Sequence, residues 1–146
     1  MKVRGEAMFR HILVPTDFTK KSSQALDIAL KLVDIEAGQI TLLHVIETIQ
    51  NASYEEFADF YDKLKQNAEC KMADILKGYP GPEKALQAKV AFGNRVGRIV
   101  SYAAEHDVDL IILSSHRLDP ENISQGWGSI SYKVGLLSHC PVMMVK

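Results

Sequence analysis

Three short stretches of the chain hold residue types suited to a nucleoside or a small anion. Thr16 and Asp17 follow an apolar run that ends in Pro15; Ser114, Ser115, His116 and Arg117 follow one that ends in Leu113; and Gly126-Trp127-Gly128-Ser129 lead into Ile130 and Ser131. A carboxylate such as Asp17 accepts hydrogen bonds from a ribose hydroxyl or an adenine amine. Placed just before a helix, it serves equally well as a cap for free backbone N–H groups. Gly128 and Ser129 stand where a helix begins, so N–H groups and the positive end of the dipole face outward and suit an anion. A serine cap with a glycine entry explains the same two residues. The hydroxyls of Ser129 and Ser131 add donors. Arg117 offers charge to a phosphate and His116 a hydrogen bond, or both are solvated loop residues. Asp119 and Glu121 oppose a phosphate unless they point away or hold a cation. Trp127, the only tryptophan, either packs this loop onto the body or belongs to a partner surface.

Other chemistries find less support. No GxxxxGK[ST] loop and no nucleophile elbow is present, and no general base stands near the phosphate-type residues. Catalysis is therefore expected to be absent, or at most a slow hydrolysis of ATP. Cys70 and Cys140 lie far apart with no CxxC pair. His139 beside Cys140 supplies at most two ligands, so two reduced thiols are expected and no metal site. With 17 basic and 18 acidic residues the net charge is -1, which gives no bulk field for nucleic acid or an anionic membrane. The opening MKVRGEAMF lacks the apolar core of a secretory signal, and no run reaches the roughly 20 apolar residues of a membrane helix. At 146 residues and 47% apolar content, residues 1–146 read as one globular domain, with 1–8 a loose extension and Met8 an alternative start.

These polar stretches are positioned by alternating elements. Phe9–Pro15, Gln39–Glu47, residues 85–93, residues 108–115 and Pro141–Val145 read as strands. Between them come a helix with an apolar stripe from Ala25 to Ile35, a helix from Tyr54 to about Lys77, a helix after Asn94, and a last one over residues 129–137. Ser22 or Ser23 is the expected cap of the first helix, Ser53 with Glu56 a capping box for the second, and Asn94 a cap for the third. Gly38 and the Gly78–Glu83 turn act as stops. The order βαβαβαβαβ means an α/β fold, a parallel sheet covered by helices on both faces. Ligands in such sheets bind beyond the carboxyl ends of the strands, where the strand order reverses. If the first and fourth strands are neighbours, Asp17 and Ser114–Arg117 meet in one site.

Four stretches resemble the universal stress protein family: FRHILVPTDFT with ALDIALKL, ITLLHVIE, GNRVGRIVSYAAEHDVDLIILSSH, and GSISYKVGLLSHCPVMMVK. The likeness runs from about Phe9 to Lys146. It implies a single five-stranded parallel sheet in the order 3-2-1-4-5, the adenine-nucleotide alpha-hydrolase-like arrangement. It also implies a cytoplasmic stress-response homodimer, paired through the last strand at Pro141, Val142, Met143, Met144 and Val145, with a signalling or protective role. Many members bind ATP, with Mg²⁺, through G-x2-G-x9-G-[S/T]. Carried over, Pro15, Thr16 and Asp17 contact adenosine, Val45 lines the adenine pocket, Leu113, Ser114, His116 and Arg117 form one side, and Gly128, Ser129, Ile130 and Ser131 the other. The first two glycines fall on Ser114 and Arg117, and ten residues stand where the motif has nine. Glycine there allows positive φ or close approach to phosphate; a serine fills a little of that space, and an arginine fills more while offering its own charge. Members without these glycines include proteins that do not bind ATP, so the resemblance leaves two functions: an adenine-nucleotide-binding protein, or a nucleotide-free adaptor working through protein partners.

Overall fold

The computed structural model describes residues 8–34, 36–79, 86–115 and 129–146. In chain order they form β1 (His11–Pro15), α1 (Lys20–Leu32), β2 (Gln39–Ile46), a 3₁₀ turn (Tyr54–Phe57), α2 (Ala58–Lys77), β3 (Leu86–Phe92), α3 (Arg95–Glu105), β4 (Leu110–Ser114), α4 (Ile130–Leu137) and β5 (Val142–Val145). The five strands build one sheet in the order β3-β2-β1-β4-β5, and every pairing is parallel. Alternate residues of a strand face opposite ways, which divides the core in two. Ile12, Val14, Ile40, Leu42, Leu110 and Ile112 pack beneath Ala25, Leu26 and Ala29 of α1 and Met72 of α2. Leu13, Leu43, Val45, Ile111 and Leu113 pack beneath Ile99 and Ala103 of α3 and Val134 of α4.

The reversal of strand order lies between β1 and β4, and one side chain locks it. The Asp109 carboxylate accepts from the Arg10 N–H at 2.8 Å and the His11 N–H at 3.1 Å, while the Asp109 N–H donates to the His11 carbonyl at 3.0 Å. This fixes the register Ile12↔Leu110 and Leu13↔Ile111. Beside it, buried His11 donates from Nδ1 to the His106 carbonyl at 2.9 Å, and its Nε2 meets the Thr41 hydroxyl at 2.9 Å. Gln87 Nε2 donates to that same hydroxyl at 3.1 Å. A polar line thus crosses β1, β2 and β3 near their amino-terminal ends, and no buried side-chain polar atom among the described residues lacks a partner.

Several element ends differ from the sequence reading. The β1 ladder starts at His11, two residues after the expected Phe9, which makes only an isolated bridge to Val33; the Arg10 and His11 amides are already committed to Asp109. Neither Ser22 nor Ser23 caps α1. The helix begins at Lys20 with Thr19 as its cap residue, and Ser22 is buried inside the first turn, donating to the Thr19 carbonyl at 2.7 Å. α1 also stops at Leu32, short of the expected stripe end. Gly38 lies after it, where a Cβ would collide with the Asp34 carbonyl and the Val33 side chain. Ser53 does accept from the Glu56 N–H, but over a 3₁₀ turn that precedes α2. Asn94 caps α3 as expected, accepting from the Gly97 N–H at 2.9 Å.

Replacing Asp109 by alanine leaves the exposed Arg10 amide to water and the part-buried His11 amide at the start of β1 without its acceptor. The expected loss is about 1 kcal/mol of unfolding free energy, read as a lower urea midpoint at unchanged m. Asp109→Asn keeps one acceptor oxygen and is expected to fall between the two.

Candidate functional site

The carboxyl-terminal edge of the sheet gathers the polar ends of β1, β2 and β4. The Thr16 N–H donates to the Leu43 carbonyl at 2.8 Å, so the chain stays in register for one residue past β1. The buried Thr16 hydroxyl donates to Ser22 Oγ at 2.9 Å and accepts from the Phe18 N–H at 3.0 Å. Those bonds turn the backbone sharply, and Phe18 adopts φ +66°, a conformation that costs a non-glycine residue on the order of 1–2 kcal/mol. Asp17 sits exposed on this turn. Its Oδ1 accepts from the Thr19 N–H at 3.0 Å and the Thr19 hydroxyl at 2.6 Å. Partial burial raises its pKa, but the bonds from the Thr19 hydroxyl and N–H, its own N–H and the Ser22 hydroxyl outweigh that and hold it below 3.8. Asp17 therefore braces the residues before α1 and remains an exposed anion at neutral pH.

On the β4 side, Ser114 ends the strand half-buried and pairs with Val145. Ser115 is buried; its N–H donates to the Val145 carbonyl at 2.8 Å and its hydroxyl meets that of Ser131 at 3.0 Å. Ser131 in turn meets the Ser129 hydroxyl at 3.2 Å. Ser129 is the cap residue of α4, accepting from the Tyr132 N–H at 3.5 Å. A row of three hydroxyls thus joins the end of β4 to the amino terminus of α4, where the first-turn N–H groups carry partial positive charge. Val45 and Leu113 are buried in a single apolar cluster against which Ile130 packs. Pro15 is half-buried at the end of β1.

Pro15, Thr16 and Asp17 leave the same edge as Leu113 and Ser114 because β1 and β4 are neighbours. His116, Arg117, Asp119, Glu121, Trp127 and Gly128 lie outside the described residues. Within them no group of three or more His, Cys, Asp or Glu side chains could hold a metal ion. The glycine motif does not single out Ser115, although it bridges to α4. Its signal in the sequence is a second serine directly after the most apolar strand.

His44 and Phe18 were also outside the sequence reading. The His44 Nδ1 donates to the Thr16 carbonyl at 2.8 Å, and its ring lies 4.3 Å from that of Phe18 at 34°. Lys71 of α2 reaches over the other ring, 5.3 Å from the Phe18 centroid. Arg95, at the start of α3, lies 4.0 Å from Glu47. Burial pushes the His44 pKa below its ordinary 6.5; the Thr16 carbonyl raises it, the positive charges of Arg95 and Lys71 lower it, and Asp17 raises it. The β2 side of the edge therefore presents a neutral imidazole between one exposed carboxylate and two cations. A histidine within an apolar strand is a visible cue, whereas Lys71 and Arg95 arrive from separate helices.

At the other end of the sheet, β5 is an edge strand. Pro141 and Met143 are exposed, and Val142, Met144 and Val145 half-buried. Leu136 and Leu137 of α4 are 81% and 64% exposed nearby in the chain. No helix among the described residues is long and apolar enough to cross a membrane.

Comparison with known proteins gives one consistent answer. Residues 8–146 match the family described as the universal stress protein family. The chain is 28% identical to universal stress protein YxiE of Bacillus subtilis over 95% of its own length and 100% of that protein's. It is 29% identical to a universal stress protein of Methanocaldococcus jannaschii, covering 95% and 96%. Superposition on the solved structure of that archaeal protein, MJ0577, gives a TM-score of 0.76, with 32% identity, over 95% of this chain and 96% of the other. Two more distant solved structures share the fold: a universal stress protein in complex with cAMP, at TM-score 0.66 and 19% identity over 95% and 98% of the two chains, and an Arabidopsis thaliana family member with AMP bound, at 0.62 and 19% over 94% and 91%.

The charges around His44 make a sharp expectation for its titration. Its folded pKa is depressed, so the stability tied to its neutral form is present above pH 6.5 and is lost as pH falls through the folded value. Proton NMR of the imidazole should give a midpoint below 6.5. Asp17→Asn should lower that midpoint further, and Lys71→Gln or Arg95→Gln should raise it. A midpoint unmoved by all three would contradict the electrostatic arrangement described.

Proposed function

The chain belongs to the universal stress protein family, and on that premise we propose that it binds an adenine nucleotide at the carboxyl-terminal edge of its sheet. The observation that carries this reading is the adjacency of β1 and β4, by which the exposed Asp17 carboxylate and the Ser115–Ser131–Ser129 row share one edge. In the proposed complex Asp17, with Pro15 and Thr16 behind it, accepts from the ribose or the adenine amine. Val45, Leu113 and Ile130 form the apolar floor for the base. Ser129, Ser131 and the first-turn amides of α4, with Ser114, His116, Arg117 and Gly128, take the phosphate end. Relatives of the same fold with cAMP and AMP bound support an adenine ligand. We assign AMP an affinity at least equal to that of ATP, with Mg²⁺ accompanying only the polyphosphate. Ser114 and Arg117 carry side chains where the family motif has glycine, and side chains oppose close approach of a longer phosphate chain. Binding and signalling or protection in the cytoplasm, more than turnover, is the proposed role. The same two substitutions favour a second reading, a nucleotide-free adaptor.

We also propose a homodimer through β5. A strand edge leaves unpaired N–H and C=O groups that a partner edge satisfies, and exposed Leu136, Leu137 and Met143 supply apolar surface close by in the chain.

Thermal shift and calorimetry with AMP, ADP and ATP, with and without Mg²⁺, test the first proposal. Ligand at about 100 times its Kd should stabilise the fold by about 2.7 kcal/mol. Asp17→Ala and Ser131→Ala should each weaken binding, and Arg117→Ala should weaken ATP more than AMP. No shift with any of the three at millimolar concentration leaves the adaptor reading. For the dimer, light scattering at micromolar protein should give twice the 16.3 kDa chain mass. Met143→Lys should shift it to the monomer.

A further inference from the structure

A second surface uses none of the residues proposed to hold the nucleotide. Tyr61 of α2 is almost fully buried, and its hydroxyl accepts from the Ile49 N–H at 2.8 Å. Tyr54 stacks on its ring at 5.5 Å, Phe60 lies at 5.6 Å and Phe57 at 6.5 Å. Phe92 covers another side of the ring at 6.0 Å, whereas four of its neighbours are open to solvent: Ile49 is 48% exposed, Tyr54 44%, Phe57 39% and Phe60 51%. They form one apolar patch around a fixed anchor, since each touches the same buried tyrosine. Clustered exposed aromatic residues mark interaction surfaces, whereas scattered ones do not.

Acidic residues outnumber basic ones beside this patch, where the exposed Lys63 follows directly on Asp62. From Glu47 to Asp62 the chain carries Glu47, Glu55, Glu56, Asp59 and Asp62 and no lysine or arginine, although the whole chain is nearly balanced at 17 basic and 18 acidic residues. Glu47 is partly answered by Arg95. Asp62 accepts from the Tyr54 hydroxyl at 3.0 Å, which ties the acidic groups to the aromatic ones. Glu55, Glu56 and Asp59 are exposed around the start of α2, where negative charge also suits the helix dipole.

We propose that Ile49, Tyr54, Phe57 and Phe60, with the carboxylates of Glu55, Glu56 and Asp59, form a docking surface for a basic amphipathic peptide segment of a partner protein. The aromatic patch receives its apolar side chains, and the carboxylates pair with its lysines or arginines. Complementary charge selects this occupant over an anionic membrane, which the same carboxylates repel.

The test uses a fluorescent amphipathic peptide of alternating lysine and leucine blocks, about a dozen residues long, long enough to lay one helical face on a patch. A glutamate–leucine peptide of the same pattern is the control. The intact protein should bind the basic peptide and not the acidic one, and added salt should weaken binding. Phe60→Ser should reduce affinity about tenfold or more, as loss of an aromatic anchor does. Glu55→Gln/Glu56→Gln/Asp59→Asn, which changes only exposed groups, should reduce it and flatten the salt dependence. Absence of binding, equal binding of the two peptides, or affinity unchanged in both variants would overturn the proposal. So would self-association of the parent protein that Phe60→Ser abolishes, which would give the patch to a second copy of the chain. AMP at saturating concentration should leave peptide affinity unchanged, so failure of the nucleotide reading leaves this one standing.

Discussion

The Asp109 carboxylate and the two backbone amides it accepts from determine what else this fold can do. A parallel sheet of five strands has one place where strand order reverses, and here that place lies between β1 and β4. These two strands share only two registered residue pairs, fewer than any other neighbouring pair in the sheet. A short pairing at the centre of a sheet is vulnerable to slippage, and a slip of one residue would exchange its two faces. Asp109 removes that freedom by accepting from the consecutive amides of Arg10 and His11 at the start of β1 while its own N–H returns to the His11 carbonyl. With the register set, Thr16 and Asp17 on one strand and Ser114 and Ser115 on the other must leave the sheet together.

The two ends of the sheet solve opposite problems. At the amino-terminal end, buried polar groups satisfy one another along Gln87, Thr41, His11 and the His106 carbonyl. Such a line is worth keeping only when complete, since each unpaired buried group would cost roughly 1–3 kcal/mol. At the carboxyl-terminal end the polar groups are arranged with capacity to spare. Asp17 braces the start of α1 yet remains exposed and charged, and the serine row reaches the outer turn of α4. The strained backbone of Phe18 belongs to this second end, where it sets a ring against His44.

The sequence made the fold class and most elements legible, because apolar periodicity changes clearly between strands and helices. Asn94 and Ser129 announced their helices through local chemistry that needs no tertiary partner. The start of α1 did not, since the serines of its first turn look like caps. Only the fold shows Ser22 buried under Thr16, with Asp17 holding Thr19 in place. For the site, spacing suggested Asp17, Ser129 and Ser131, and neighbouring strands bring the two polar ends to one edge. Ser115 stands in the polar stretch the sequence marks after β4, but its bond to Ser131 is visible only in the fold. The cations near His44 were illegible because Lys71 and Arg95 are brought there from helices far apart in the chain. The aromatic surface around Tyr61 falls within a helix the sequence marks from Tyr54 onward, but periodicity identifies a helix and not how much of its face is covered.

The position of the Asp109 lock has a bearing on what can vary in such a protein. The residues that hold the sheet in register and those that would meet a ligand occupy opposite ends of the same strands. A side-chain change at Ser114 or at the start of α4 therefore alters the outer end of the strands and leaves the Asp109 hydrogen bonds untouched. One folded frame can thus carry different side chains at that end, as it does in having Ser114 and Arg117 where the family motif has glycine.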